Sequence, residues 1–203
     1  MKIAVIGATG NVGGKVLGEA LSRGHQVTAI ARNTDKLDKA SGATIKSADI
    51  SDSGGITAAI GGSDAVVITV KHQTFDLMKA LDAIRAAGIK RVMVVGGAAS
   101  LKNKDGVRLL DQPGFPDFIK VEAAPAAVAL DNIRGVTDLD WSFISPSMML
   151  GPGERVGKFR LGGDDLIVDD KGDSKISYDD LAVAIVDELE TPKHIRKRFT
   201  AGY

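Results

Sequence analysis

Three glycines, Gly7, Gly10 and Gly13, stand three residues apart in the run Ile6-Gly7-Ala8-Thr9-Gly10-Asn11-Val12-Gly13. Without a β-carbon, glycine lets a chain turn sharply, lets its backbone approach a pyrophosphate, and lets a helix settle closely on a sheet. Where a helix opens at the end of such a run, the unpaired amides of its first turn point at the bound anion. The chemistry these residues suit is recognition of a phosphate-bearing nucleotide. The chain holds 24 glycines, so spacing alone is a weak signal and the flanking elements must carry the argument. Here the apolar run of residues 2–6 precedes the loop, a helical pattern over residues 12–23 follows it, and a strand over residues 26–31 completes a βαβ unit. Thr9 and Asn11 can add side-chain hydrogen bonds to the anion, or simply suit the turn.

The same alternation continues along the chain. Strands are expected at residues 43–47, 65–70, 91–95 and 141–145, with a short helix at 56–60 and a longer one marked by Leu77, Leu81 and Ile84 and stopped by Gly88. Strands such as Ala65-Val66-Val67-Ile68-Thr69-Val70 read as continuous apolar runs, the mark of a parallel sheet covered by helices on both faces. The expected fold is therefore α/β, a Rossmann-type doubly wound parallel sheet forming one domain over residues 1–203, with a small irregular C-terminal insertion. That insertion, residues 151–177, is rich in Gly and Asp and is read as irregular or as a hairpin around Leu166-Ile167-Val168. A long polar loop runs to about Pro116, and Pro125 is expected in the first turn of the helix leading to Ile133. Ser177 is expected to cap the last helix, and a short strand to lie near residues 198–200.

Composition narrows the function classes. With 26 basic and 26 acidic side chains, the chain offers no broad field for nucleic acid or an anionic membrane, so neither partner is expected. The basic run Lys193-His194-Ile195-Arg196-Lys197-Arg198 is read as a solvated terminal strand. The absence of cysteine excludes disulfides and thiol nucleophiles, and His25, His72 and His194 lack metal-ligand spacing, so no metal site is expected. The apolar run Ile3-Ala4-Val5-Ile6 is too short for a signal-peptide core and no segment has membrane length, so the expectation is a soluble, cytoplasmic protein. Oligomeric state is left open.

The end of the second strand bears on the choice of nicotinamide cofactor. An acidic residue there would hold the ribose hydroxyls of NAD, whereas an arginine can pair with the extra 2′-phosphate of NADP. The residue is Arg32, which favours NADP(H), while nearby Asp35 keeps NAD(H) as the alternative.

The chain resembles the atypical short-chain dehydrogenase/reductase superfamily, in its NAD(P)H-binding, NmrA-like branch that includes NADH-flavin reductases and biliverdin reductase B. The likeness runs nearly end to end. It rests on the glycine run, on Ala48-Asp49-Ile50-Ser51-Asp52, on Lys90-Arg91-Val92-Met93-Val94-Val95-Gly96-Gly97, on Trp141-Ser142-Phe143-Ile144-Ser145-Pro146 and on Arg160-Leu161-Gly162-Gly163. The resemblance implies that Asp49 and Ile50 border the adenine, that Thr69 and Val70 approach the ribose or pyrophosphate, and that Gly96, Ser145 and Pro146 line the nicotinamide end. For Asp49, a turn or helix cap is an equally ordinary role.

One departure shapes the functional reading. Classical members use a tyrosine with a lysine four residues later, whose charge lowers the tyrosine pKa. Here the tyrosines are Tyr178 and Tyr203, and four residues beyond Tyr178 stands Ala182, so that dyad is absent. Reduction of a flavin relaxes the need for it, because the protein contributes mainly by stacking nicotinamide on isoalloxazine, with reacting atoms roughly 3 to 3.5 Å apart. The expectation is thus an NAD(P)H-dependent oxidoreductase passing a hydride to FMN, FAD or a similar planar small-molecule acceptor. The alternative is a non-catalytic NADP(H)-binding redox sensor that regulates a partner protein. Ser100 and Lys120 are candidates to polarise the acceptor, and Met148, Met149 and Leu150 form either an adaptable apolar floor or part of the core.

Overall fold

The computed structural model describes residues 1–38 and 41–203. In chain order the elements are β1 (Lys2–Ile6), α1 (Asn11–Ser22), β2 (Gln26–Ala31), β3 (Thr44–Ser47), α2 (Ser53–Ile60), β4 (Ala65–Ile68), α3 (Leu77–Ala86), β5 (Arg91–Val95), α4 (Asp117–Ile133), β6 (Asp140–Pro146), β7 (Met149–Gly151), β8 (Arg160–Gly162), β9 (Lys175–Ser177), α5 (Tyr178–Glu190) and β10 (Lys197–Gly202). The main sheet has the order β3-β2-β1-β4-β5-β6-β10-β8. Every pairing in it is parallel except that of β8 with β10. The direction of winding reverses between β1 and β4, which places the topological switch point beside the glycine loop.

Alternation along each strand builds two cores. Ala4 and Ile6 of β1 face one side with Ile56 of α2, Leu81 of α3 and Leu130 of α4, while Ile3 and Val5 face the other with Val16 of α1 and Ile185 of α5. Both faces of the central strands are thus covered, which is why they read as unbroken apolar runs. The register sets Ile6 level with Ile30 and Ile68 across three neighbouring strands.

Helix starts follow side-chain chemistry. Asp52 accepts from the Gly55 amide at 3.1 Å to cap α2, Asp76 accepts from Met78 at 2.9 Å to cap α3, and Ser177 accepts from Asp180 at 3.0 Å to cap α5 as expected. The N-cap of α1 is Gly10, which offers no side-chain hydrogen bond. α4, which follows Pro116, also lacks one, but it is the uncapped start of α1 that matters for the site.

Four expectations are corrected. β4 ends at Ile68, so Thr69 and Val70 lie beyond it, where the chain turns to meet the glycine loop. Pro125 is not in the first turn but inside α4, which begins eight residues earlier. The ring removes the donor that would pair with the Val121 carbonyl, and because Val121 is 70% exposed, water can take that place. Residues 151–177 form no hairpin: β7 pairs in parallel with β9, β8 joins the main sheet, and Leu166-Ile167-Val168 forms no strand. The basic terminal run does not end in a solvated strand. β10 lies inside the sheet between β6 and β8, with Arg198 buried against Asp164. Among the described residues no helix is long and apolar enough to cross a membrane.

Candidate functional site

The glycine loop is anchored at several points. Both Gly7 and Ala8 donate their amides to the Ile30 carbonyl of β2, at 2.9 and 3.1 Å, and Gly10 donates to Gly7 at 2.9 Å. Gly7 adopts φ +90°, open to glycine and strained for other residues. Thr69 sets its hydroxyl 2.9 Å from the Ile6 carbonyl and 3.2 Å from that of Gly7, tying the loop to the end of β4. A Cβ on Gly7 or Gly13 would stand 2.7 Å from that hydroxyl, and one on Gly13 would also collide with the Gly7 carbonyl. With no side chain capping α1, the amides of Asn11, Val12 and Gly13 are left for a ligand. Such a cradle fits the pyrophosphate of a dinucleotide.

From this cradle a cleft of about 760 Å³ runs along the carboxyl ends of the central strands. Of the residues singled out from sequence, Gly10, Asn11, Val12, Thr69, Val70, Gly96, Pro146, Met148 and Leu150 line it. Gly7 and Gly13 shape the turn behind it, and Thr9 is exposed. Arg32, Asp49 and Ile50 follow β2 and β3 at the same end of the sheet. Arg32 is exposed, Ile50 is packed into the core, and Asp49 accepts from the Ser51 amide at 2.9 Å. That bond, with a contribution from the Arg32 charge, holds the Asp49 carboxyl below its ordinary range. Gly96 has a packing reason of its own, since any Cβ there would strike the Phe143 ring.

Three further expected residues are not brought into the cleft. Lys120 pairs with Asp117 at 2.9 Å on the exposed first turn of α4, where a solvated ion pair satisfies it. Ser100 is buried, in the short turn after β5, and its hydroxyl has no partner among the described residues. Ser145 is fully buried, with its hydroxyl 3.4 Å from Arg198. Neighbouring residues on a strand point to opposite faces, so Pro146 meets the cleft and Ser145 does not.

Other cleft residues were passed over in the sequence. Phe115, Phe118 and Ile119 join Met148 and Leu150, two of the three residues expected as an apolar floor, in an apolar wall, and Phe118 is 81% exposed; Met149 is exposed outside the cleft. Lys71 and Glu122 form a 2.9 Å ion pair linking the β4 end to α4. Tyr178, the first residue of α5, lines the cleft and receives a 3.2 Å hydrogen bond from Asn11 Nδ2. His72 donates from Nε2 to the Val95 carbonyl at 2.9 Å and stacks on Phe75 and Phe143. Burial lowers its pKa, so the ring is neutral and Nδ1 is an acceptor, without a partner among the described residues. Phe118 and Ile119 have no local mark, because helix-period apolar positions read as core whichever way they face, while Tyr178 and His72 read only as a tyrosine without its lysine and a histidine without metal-ligand spacing. No group of three or more possible metal ligands occurs among the described residues.

A doubly wound parallel sheet with an anion cradle at its switch point and a cleft beyond its carboxyl edge defines a dinucleotide-binding protein of the Rossmann class. A family model described as NAD(P)H-binding matches residues 7–192, and the chain belongs to that family. It is 37% identical to the uncharacterized protein YwnB of Bacillus subtilis, over 98% of this chain and 97% of that one. Among solved structures, a Bacteroides thetaiotaomicron protein provisionally described as an epimerase is 38% identical with a TM-score of 0.91, covering 100% of this chain and 96% of the other. A Streptococcus pneumoniae protein provisionally described as an NADH-flavin reductase is 34% identical with a TM-score of 0.87, covering 100% and 99%.

Proposed function

We propose that this protein is an NAD(P)H-dependent reductase that prefers NADPH and passes a hydride to a planar aromatic acceptor such as the isoalloxazine ring of FMN or FAD. The observation that carries the reading is the junction of two surfaces in one cleft, where the anion cradle at Gly10 and Asn11 runs into the wall of Phe115, Phe118, Ile119 and Met148. The cofactor, when bound, supplies the hydride. The chain's own residues hold the pyrophosphate on the α1 amides, set the nicotinamide near Gly96 and Pro146, and exclude water from the acceptor with apolar side chains. Ala182, four residues after Tyr178, is buried in α5, so no lysine stands there to activate that phenol, and flavin reduction does not require one. The relative described provisionally as an NADH-flavin reductase supports the same acceptor class. The preference for NADPH rests on exposed Arg32 beyond β2, free to make a charge-assisted contact with a 2′-phosphate.

Anaerobic stopped-flow mixing with NADPH or NADH and a panel of FMN, FAD and riboflavin tests the reading. Saturable nicotinamide oxidation with flavin bleaching is expected. In Arg32→Ala the apparent affinity for NADPH should fall about tenfold or more, with little change for NADH. Tight cofactor binding with no electron transfer to any flavin would replace the reductase with a redox sensor. Equal losses for both cofactors would remove Arg32 from the 2′-phosphate.

A further inference from the structure

Tyr178 stands where two features of the cleft meet. Its hydroxyl oxygen accepts from Asn11 Nδ2 at 3.2 Å, and it makes no other hydrogen bond among the described residues. A phenol carries one proton and can accept as well as donate, so this arrangement occupies its acceptor side and leaves its O–H unused. Asn11 is the first residue of α1, directly after the uncapped Gly10, so the phenol lies by the amides that form the anion cradle. Both side chains line the same cleft.

The position of Tyr178 is fixed by contacts behind it. Ser177 caps α5 through the Asp180 amide and donates to the Glu154 carbonyl at 3.1 Å. Tyr203 donates to Asp180 Oδ2 at 2.7 Å, and Asp180 also accepts from the Gly157 amide at 2.8 Å. The start of α5 is thus held by two distant chain segments, residues 154–157 and Tyr203, and none of these bonds uses the Tyr178 hydroxyl. A free donor on a braced backbone beside an anion cradle suits a phosphate oxygen, since hydrogen bonds to charged acceptors are the stronger ones.

We propose that Tyr178 is a cofactor-binding residue whose phenolic O–H donates to the pyrophosphate of the dinucleotide, so that α5 supplies to the anion site a contact additional to those of the glycine loop. This goes beyond the acceptor assignment and does not depend on it, because the contact is to the cofactor alone. Asn11 has a double part here, presenting its own backbone amide and orienting the phenol.

Calorimetric titration of Tyr178→Phe tests this with three probes: NADPH, 2′-phospho-ADP-ribose, which keeps the pyrophosphate but lacks nicotinamide, and adenosine 2′-monophosphate, which has neither phosphate of the pyrophosphate. The first two should weaken by the same factor, about tenfold to a hundredfold, while adenosine 2′-monophosphate binds as to the wild type. The thermal midpoint without ligand should not move, since the lost atom serves no fold contact beyond Asn11. Unchanged affinity for all three probes would overturn the proposal, and so would a loss confined to NADPH, which would put the phenol at the nicotinamide. A loss shared by adenosine 2′-monophosphate would mean a general disturbance of the cleft and would equally overturn it. If flavin turnover proves absent, the calorimetric result still decides the role of Tyr178.

Discussion

The glycines of this chain do different work, and the difference lies in what surrounds each missing β-carbon. Gly13 faces the Gly7 carbonyl and the Thr69 hydroxyl, and a methyl group there has no space. Gly18, on the same helix five residues on, has nothing within 4 Å of its would-be Cβ. Gly13→Ala should therefore push the loop from β4, lowering stability by about 1–3 kcal/mol and NADPH affinity by tenfold or more. Gly18→Ala should raise stability by up to about 1 kcal/mol through helix propensity and leave binding unchanged. Urea denaturation and calorimetry on the two variants check this pair, and equal effects at both positions would sink the argument. The triplet spacing pointed to a cradle because a strand, a loop and a helix stand in fixed order around it. Local sequence could not reveal that Thr69 closes the cradle from 56 residues beyond Gly13, nor that Ser145 faces away from the cleft while Pro146 faces into it.

At the level of elements, α4 is where pattern reading and structure part. A proline inside a helical pattern favours a helix start, but Asp117–Ile133 runs straight through Pro125. The residues before it, such as Phe118 and Val121, are exposed, while Ala126, Ala127, Leu130 and Ile133 are buried. The buried half follows helical periodicity, and the sequence reading found it. The exposed half has apolar residues with no core to meet, so periodicity carried no information about it. The proline costs the helix one hydrogen bond at a place where solvent can replace it. Pro125→Ala should accordingly stabilise the fold, by about 1 kcal/mol, and reduce fraying of residues 117–124. Hydrogen exchange of amides before and after position 125 checks this. Faster exchange in the first half of α4 after substitution would show instead that the proline ring is a packing element there. β1, β2 and β5 were legible to the residue because each is bounded by glycine, charge or a turn, whereas the short β7, β8 and β9 have too few residues to show any period.

Over the whole molecule, the last helix and last strand are joined to the sheet by buried charge, and sequence reading missed this because the partners are far apart in the chain. Glu188, only 4% exposed, receives the amides of Lys193 and His194 at 3.1 and 2.8 Å and faces the His194 ring at 2.7 Å. Arg91 of β5, also buried, donates to the Glu188 carbonyl at 2.9 Å, and the Ser142 hydroxyl of β6 lies 3.1 Å from its carboxylate. Burial by itself pushes the Glu188 carboxyl up, but the hydrogen bonds from His194 and the two amides outweigh it and hold the pKa below the ordinary value. A carboxyl whose folded pKa is depressed binds protons less readily than in the unfolded chain. Its contribution is complete above the unfolded glutamate range, near about 4.3, and is lost as pH falls through the lower folded value. Glu19 follows the same sign, its carboxyl held down first by the hydrogen bond from Arg155. Stability measured by urea should therefore be flat from neutral pH to about 5 and decline steeply below 4. Glu188→Gln should be destabilised on the order of 3 kcal/mol at pH 7, because Arg91 would lose its countercharge, and should show a shallower acid decline than the wild type. An unchanged acid slope in that variant would place the proton-linked stability elsewhere and leave the α5–sheet junction held by packing alone.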